Sequence, residues 1–97
     1  MIFHITGSEA WSAARTEGVY RAPSLETEGF IHFSYAPQLA GTAALHYAGV
    51  TGLIVLAVEE AGLDIRVEGG FPHLYEPLPV SAVRDVKPLE AALASAG

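Results

Sequence analysis

The strongest structural signal in the sequence is the stretch Leu53-Ile54-Val55-Leu56-Ala57-Val58. This unbroken apolar run is followed directly by the acidic pair Glu59-Glu60. A short, continuous apolar run is typical of a strand that is covered on both faces. We therefore expect it to be the central strand of the main sheet. It is far shorter than the roughly 20 residues that a membrane-spanning helix requires, so the sequence predicts no membrane span.

Shorter patterns on either side of this run predict the remaining elements. Alternating and β-branched residues indicate strands, and apolar residues at helical spacing indicate helices. Ser8 is the predicted N-cap and Gly18 the predicted end of a first helix of about ten residues. The predicted strands cover residues 2–6, 30–34, 65–68, 71–75 and 83–86, a second helix covers residues 37–49, and a loop covers residues 20–29. Gly69-Gly70 is a predicted turn, and residues 90–97 are expected to form a frayed helical turn or to stay disordered.

The order of these elements predicts an α+β fold. The pattern begins as strand, helix, strand, helix, and the later strands follow one another with no helix between them. A parallel doubly wound sheet needs a crossover helix between strands, so that architecture is disfavoured. With 97 residues the chain has the length of one domain, and we expect a single domain over residues 1–97. No glycine-rich phosphate loop of the common spacings occurs in the sequence.

Composition narrows the classes of function. The chain has 5 Lys and Arg against 11 Asp and Glu, a net charge of −6 at pH 7, and 51% hydrophobic residues. Proteins that bind long RNA or DNA concentrate cations against the phosphates, so a small ligand or a protein partner is favoured instead. The absence of cysteine excludes disulfides, thiolate zinc sites and cysteine nucleophiles. The first residues show no targeting pattern, so we expect a cytoplasmic protein.

Three of the four histidines fall on predicted strands. Taken alone, each of His4, His32 and His73 is more often a hydrogen-bonded structural residue than a ligand or a catalyst. Taken together they are candidates for one site, because strands hold side chains rigidly. Three imidazoles can also bind zinc with one open position, as in a metal-dependent hydrolase. Their separations of 28 and 41 residues lack the close ligand pair that is usual in metal sites, so we assign no metal ligands.

Other side chains near these histidines suit a nucleotide pocket. Tyr20 and Tyr75 can stack on a base or on a nicotinamide ring. Arg21 can bind a phosphate and Ser34 can bond to a hydroxyl. Arg21 can equally form a surface salt bridge with one of the glutamates that follow it in the chain. The first alternative is a non-catalytic nucleotide-binding or protein-interaction module, in which the histidines are structural, and the second is the histidine-metal hydrolase.

The same residues carry a resemblance to a known family. From residue 2 to residue 89 the sequence resembles the small bacterial family called domain of unknown function 952. The motifs that carry the resemblance are Ile2-Phe3-His4-Ile5, Trp11, Gly18-Val19-Tyr20-Arg21-Ala22-Pro23-Ser24-Leu25, Glu28-Gly29-Phe30-Ile31-His32-Phe33-Ser34, Gln38 and Phe71-Pro72-His73-Leu74-Tyr75. The family pattern has glycine before the proline that follows, and here Glu76 takes that position.

The resemblance implies a fold and a set of contacts. The family is similar to the ADP-ribosyltransferase fold, a split antiparallel β-structure, here with two short helices, that holds NAD in a cleft between two small sheets. In the similar RNA 2′-phosphotransferases, histidines of the first two strands contact the NAD. That likeness implies NAD contacts for His4 and His32, with Ser34 beside them, and makes Glu76 the counterpart of the late-strand glutamate of protein-modifying transferases. The basic region and extra arginines of the phosphotransferases are missing, which disfavours an RNA substrate.

The resemblance therefore implies an ADP-ribosyl-transfer enzyme that binds NAD or ADP-ribose and acts on a small substrate. Cleavage of the bond between nicotinamide and ribose develops positive charge on the sugar, so the protein has mainly to orient the ribose and to place a nucleophile. The predicted catalytic residues are His4, His32 and Glu76. The predicted NAD-binding residues are His4, Tyr20, Arg21, His32, Ser34, His73 and Tyr75.

Overall fold

The computed structural model describes residues 1–96. The strands in this range are β1 (Ile2–Gly7), β2 (Val19–Tyr20), β3 (Ile31–His32), β4 (Leu53–Val58), β5 (Ile65–Glu68), β6 (Phe71–Leu74), β7 (Leu78–Pro79) and β8 (Val83–Pro88). The α-helices in the same range are α1 (Ser8–Glu17), α2 (Pro23–Thr27), α3 (Leu39–His46) and α4 (Leu89–Ala96). The strands pair antiparallel and the helices are few, so the predicted α+β class is confirmed.

β4 is the central strand of a three-stranded sheet with the order β1-β4-β8. Its apolar side chains belong to two different cores. Leu56 and Val58 are fully buried on one face, and Val55 packs on the other. Burial on both faces explains the unbroken apolar run, and the prediction of a central strand at Leu53–Val58 is confirmed.

The two faces of this sheet meet different layers. One face packs against α1, the two-stranded sheet β2-β7 and the three-stranded sheet β3-β6-β5, through residues such as Ile2, Ile31 and Leu74. The other face packs against α3 and α4, through Leu39 and Ala92. Each large aliphatic side chain that is fully buried in this way contributes about 1.5–3 kcal/mol. The layers are therefore held together mainly by apolar burial.

β5 and β6 form a hairpin that turns at Gly69-Gly70, as predicted. The two glycines have φ values of 61° and 83°, the left-handed conformations that a two-residue hairpin turn requires. The pairing sets His73 of β6 between Arg66 of β5 and His32 of β3. Because directly paired residues share a face, the outer face of this sheet carries both histidines side by side.

Both ends of α1 are set by glycines. The prediction that Ser8 is the N-cap is wrong, because β1 runs directly into the helix, Gly7 takes the cap position and no side chain caps it. At the other end Gly18 has a φ of 94°, and its N–H donates to the Ala14 carbonyl at 2.7 Å. This left-handed closure confirms the predicted end of the helix.

Replacing Gly18 with alanine is expected to lower the free energy of unfolding by about 1–2 kcal/mol, because a Cβ atom disfavours a left-handed backbone. Nothing lies within 4 Å of the position that the Cβ would take, so the loss would come from the backbone alone. Gly41→Ala is the matched control, because Gly41 lies inside α3 with equally free surroundings and there alanine is favoured. Urea unfolding measures both changes, and a Gly18→Ala protein as stable as the wild type would contradict this account.

The predicted loop over residues 20–29 is wrong in two places. Tyr20 belongs to β2, which pairs with β7, and Pro23–Thr27 forms α2. Pro23 lies in the first turn of α2, where its fixed φ suits a helix and its missing N–H costs nothing. The helix has little more than one turn, so it shows no apolar periodicity in the sequence.

Three further predictions differ from the structure. Of the strand predicted over residues 30–34, only Ile31–His32 is a paired strand, because Ser34 changes partner and bridges to Phe3 of β1. The helix predicted over residues 37–49 begins at Leu39 after a 3-10 turn and ends at His46. With α2 and α4 also present, the prediction of two short helices is wrong.

Gly97, the end of the predicted tail, lies outside the described residues. No helix in the described range is long and apolar enough to cross a membrane.

Candidate functional site

The candidate site is a cleft that opens where β1 and β3 diverge. Phe3 and Ser34 exchange two backbone hydrogen bonds of 2.9 and 2.8 Å, after which β3 pairs with β6 instead of continuing along β1. The gap between the two strands widens into a cleft of about 1070 Å³, which α3 borders on its other side. A volume of this order holds a ligand as large as a dinucleotide.

His4 lies inside the cleft wall and is only 7% exposed. Its Nδ1 lies 2.6 Å from the His32 carbonyl oxygen, and its Nε2 lies 2.8 Å from the Tyr20 hydroxyl. A carbonyl can only accept, so Nδ1 carries the ring proton and Nε2 is unprotonated. Burial removes water from the ring and lowers the pKa of His4 to about 4, although the bond to the His32 carbonyl acts in the opposite direction. His4 is therefore a neutral imidazole at pH 7.

The polarity of the neighbouring hydrogen bonds follows from this tautomer. The Tyr20 hydroxyl must donate to His4 Nε2, because that nitrogen has no proton of its own. The Tyr20 hydroxyl also lies 3.0 Å from the Thr6 hydroxyl and is placed to donate to it, so His4 Nε2 and Thr6 Oγ1 share the single Tyr20 proton. Burial also raises the pKa of the Tyr20 hydroxyl, which keeps its proton in place. Thr6, a residue of the cleft wall, is left with a hydroxyl proton that it can donate to a ligand.

The backbone of β1 presents a second polar group to the cleft. In an antiparallel strand the N–H and C=O groups of alternate residues point to the same edge. The Phe3 groups point toward Ser34, so those of Ile5 point along the same edge into the cleft. Neither Ile5 group has a hydrogen-bond partner among the described residues. Since buried backbone groups are almost always paired, this donor and acceptor are available for a ligand or for water.

His32 and His73 form the opposite wall. They are directly paired across β3 and β6, with ring centroids 5.6 Å apart, and Phe30 packs against both rings. Each imidazole has a carboxylate beside it: His32 Nε2 is 3.1 Å from Glu28 Oε2, and His73 Nδ1 is 3.9 Å from Glu68 Oε1. The wall therefore combines two imidazoles with two acidic side chains.

Five of the predicted site residues come together in this cleft: His4, Tyr20, His32, Ser34 and His73. Ser34 is buried, and its hydroxyl is hydrogen-bonded to that of Thr42 of α3 at 2.9 Å. His4 and His32 meet through the bond from the His4 ring to the His32 backbone carbonyl, and both residues line the cleft. Their predicted roles toward NAD stay predictions.

The other three predicted residues lie outside the cleft wall. Arg21 forms its salt bridge with Glu17, one turn back in the chain, and not with a later glutamate. Tyr75 packs against Phe30, with Arg66 stacked over its ring at 4.3 Å. Glu76 accepts a hydrogen bond from the Asp64 N–H at 2.6 Å. β6 ends at Leu74, so Tyr75 and Glu76 lie beyond the strand.

Several residues of the cleft wall were missed by sequence reasoning. These are Thr6, Thr42, His46, Glu28 and Glu68. The spacing of four between Glu28 and His32 is the signal that could have found one carboxylate. His46 brings the number of histidines at the cleft to four, and no lysine or arginine lines it in the part of the chain described. Over the same residues, no group of three or more His, Asp or Glu side chains is placed to hold a metal ion.

Comparison with known proteins gives a family but no activity. The family described as Protein of unknown function (DUF952) matches residues 5–86. The crystal structure of protein CC0527 from Caulobacter crescentus is similar with a TM-score of 0.83 and 38% identity, over 90% of this chain and 83% of that one. A solution NMR structure of CC0527 has a TM-score of 0.75 and 35% identity, over 90% and 82% of the two chains. No curated protein matches.

The extent of these matches places the chain within one family. The matched range runs from Ile5 in β1 to Val86 in β8; it includes the later part of β1 and all of β3 and β6, while His4 lies just before it. The fold of CC0527 is shared over most of both chains. The chain therefore belongs to the DUF952 family of proteins of unknown function.

Proposed function

We propose that the cleft binds NAD or ADP-ribose and that the domain transfers an ADP-ribosyl group to a small acceptor. The observation that carries the proposal is the unpaired edge of β1 at Ile5, next to the neutral ring of His4. An adjacent backbone donor and acceptor complement the edge of a carboxamide or of a nucleobase. A ligand with such an edge would satisfy two buried groups that are otherwise unpaired.

The rest of the cleft suits the sugar of such a ligand. Thr6 supplies a hydroxyl donor, which a ribose oxygen can accept. His32 and His73, on the opposite wall, can bond to further hydroxyls or to phosphate oxygens. NAD would supply a glycosidic bond that breaks with positive charge developing on the sugar, and Glu28 is a carboxylate of the cleft wall that could oppose that charge.

The phosphates of a dinucleotide would be held only by neutral donors and by imidazoles. No lysine or arginine belongs to the described wall of the cleft, and Arg21 is paired with Glu17. Charge-assisted bonds from guanidinium groups would therefore contribute nothing. We expect the base and the ribose to provide most of the affinity.

This expectation leads to a binding test with a graded set of ligands. NAD and ADP-ribose at millimolar concentration are expected to raise the melting temperature, because a ligand that binds only the folded protein stabilises it. Nicotinamide riboside, which lacks the pyrophosphate, is expected to bind within about tenfold of NAD, a difference of about 1.4 kcal/mol. Calorimetric titration gives the affinities. No binding of NAD, ADP-ribose or nicotinamide riboside would contradict the proposal.

Thr6→Val is the variant that tests where the ligand sits. It keeps the shape of the side chain and removes the hydroxyl, and we expect about fivefold weaker binding, the effect of one hydrogen bond. Thr16→Val is the matched control, because Thr16 lies on the exposed side of α1 and bonds only to the Ser12 carbonyl. Equal loss of affinity in both variants would show that the ligand does not lie against Thr6.

A non-catalytic binding module is the second candidate. The observation that favours it is the use of both His4 nitrogens in bonds that join β1, β2 and β3. A histidine with these bonds stabilises the fold, so its presence in the cleft wall does not require a catalytic role. In that case ADP-ribose would bind, and incubation with NAD would release no nicotinamide.

A further inference from the structure

We propose that His73 is the general base that activates the acceptor, and that Glu68 and Tyr75 are positioning residues that hold its ring. This inference rests on the proposed function, because it names the group that takes the proton of the attacking hydroxyl. These residues lie on the outer face of the β3-β6-β5 sheet. There Arg66, His73 and His32 are paired side by side across the three strands, and the two histidines line the cleft.

The first observation is the state of the His73 ring nitrogens. The side chain is only 12% exposed, and Nδ1 is buried without a hydrogen-bond partner in the described part of the chain. Nε2 also has no partner there, yet it is not among the buried unpaired atoms, so it is accessible. His73 lines the cleft. One nitrogen thus faces the protein and the other is free to meet a ligand.

The second observation is the pair of groups behind the ring. Glu68 Oε1 lies 3.9 Å from His73 Nδ1 and accepts a hydrogen bond from the Tyr75 hydroxyl. Tyr75 itself packs against Phe30, and the Arg66 guanidinium lies over its ring. A separation of 3.9 Å is longer than a hydrogen bond, so the base role requires the half-exposed Glu68 side chain to rotate toward Nδ1. A carboxylate at Nδ1 keeps the proton on that nitrogen and leaves Nε2 as the base.

The other histidines of the cleft are less suited to this role. His4 has both nitrogens engaged, one with a carbonyl and the other with the Tyr20 hydroxyl. His32 uses Nε2 for Glu28, and its side chain is 54% exposed to water. His46 is exposed at the end of α3 and has no carboxylate partner among the described residues. His73 alone combines a free nitrogen with a shielded ring and a carboxylate behind it.

The step can be written with its atoms and electrons balanced. His73 Nε2 takes the proton of the acceptor hydroxyl, and the oxygen forms a bond to the anomeric carbon of the ribose. The bond from that carbon to the nicotinamide nitrogen breaks, and its electron pair leaves with neutral nicotinamide. The positive charge of the substrate ends as the proton on His73, beside Glu68. Proton transfer of this kind contributes about 10²–10⁴-fold to a rate.

The first experiment needs no substrate. Long-range 1H–15N NMR spectra of the imidazoles report which nitrogen carries the proton, and we expect the Nδ1–H form for His73 in the wild type. Glu68→Ala is expected to shift His73 toward the Nε2–H form, and Glu68→Gln, which keeps an acceptor oxygen, is expected to restore the wild-type spectrum in part. An Nε2–H form in the wild type overturns the assignment.

The second experiment follows the release of nicotinamide from NAD, with water or a simple alcohol as the acceptor. His73→Gln is expected to lower kcat by about 10²–10⁴-fold. Its affinity for NAD, measured by calorimetry, should fall by about tenfold at most, the effect of one lost hydrogen bond, and its melting temperature should show that it is folded. Glu68→Ala should lower kcat and leave KM unchanged, whereas Glu26→Ala, on α2 and outside the cleft wall, should leave both unchanged. Wild-type kcat in His73→Gln overturns the proposal.

The two experiments separate this inference from the function on which it rests. If the wild type binds NAD and releases no nicotinamide, both the transfer activity and the base assignment are overturned. If the wild type does not bind NAD, the proposed ligand is wrong, and the NMR spectrum still decides whether Nε2 of His73 is held free as a base. If NAD is cleaved at the wild-type rate without His73, only the assignment of the base fails.

Discussion

Replacing Leu56 with alanine is expected to lower the free energy of unfolding by about 2–5 kcal/mol, the usual cost of truncating a fully buried leucine. Leu56 has no exposed surface, lies on the central strand and is directly paired with His4. Part of the cost is the lost burial of the side chain, and part is the cavity that remains. Domains of this size have a stability of about 5–15 kcal/mol, so one residue would remove a large share of it.

Leu45→Ala provides the matched control for this measurement. Leu45 is 77% exposed on α3, so the same truncation is expected to change the stability by less than about 0.5 kcal/mol. Urea unfolding of the two variants, followed by circular dichroism, gives both values. A loss below about 1 kcal/mol in Leu56→Ala would contradict the packing described for the central strand.

The parts of the fold that were predicted correctly are those with a local signal. The run at Leu53–Val58 is apolar throughout because both faces of the strand are packed against other layers. The apolar side chains themselves are therefore the signal in the sequence. Gly69-Gly70 marks its hairpin because only glycine adopts two left-handed conformations in succession without strain. The two-residue strands β2 and β7 have no such signal, because their pairing depends on segments far apart in the chain.

The sequence predicted only parts of the site that are formed by side chains. It did not predict the part that is formed by the backbone. His4, His32 and His73 were expected on strands, and all three line the cleft. Arg21 and Glu76 lie elsewhere, because the direction in which a chain leaves a strand end depends on tertiary packing. The free edge at Ile5 could not be predicted, because the type of a side chain does not indicate whether the backbone of that residue pairs with a neighbouring strand.

The buried, neutral state of His4 is expected to make the folded protein sensitive to acid. The pKa of His4 is about 4 in the folded protein, against 6.5 for an exposed histidine. Between these pH values the unfolded chain binds a proton at this residue and the folded protein does not. The free energy of unfolding therefore falls as the pH drops from 6.5 toward 4, and is unaffected by His4 above 6.5. By pH 4.5 the loss from this residue would be about 2–3 kcal/mol.

Comparison with His4→Gln isolates this contribution from that of the carboxylates, which also take up protons in acid. We expect the drop in unfolding free energy between pH 7.5 and pH 4.5 to be smaller in His4→Gln than in the wild type by about 2–3 kcal/mol, whatever the variant's stability at neutral pH. Leu45→Ala is the control and should keep the full wild-type drop, because it removes no titratable group and its side chain is exposed on α3. Equal drops in all three proteins would mean that His4 titrates alike in the folded and unfolded chains. The closed hydrogen-bond chain from the His32 carbonyl through His4 and Tyr20 to Thr6 would then be the wrong description of this wall of the cleft.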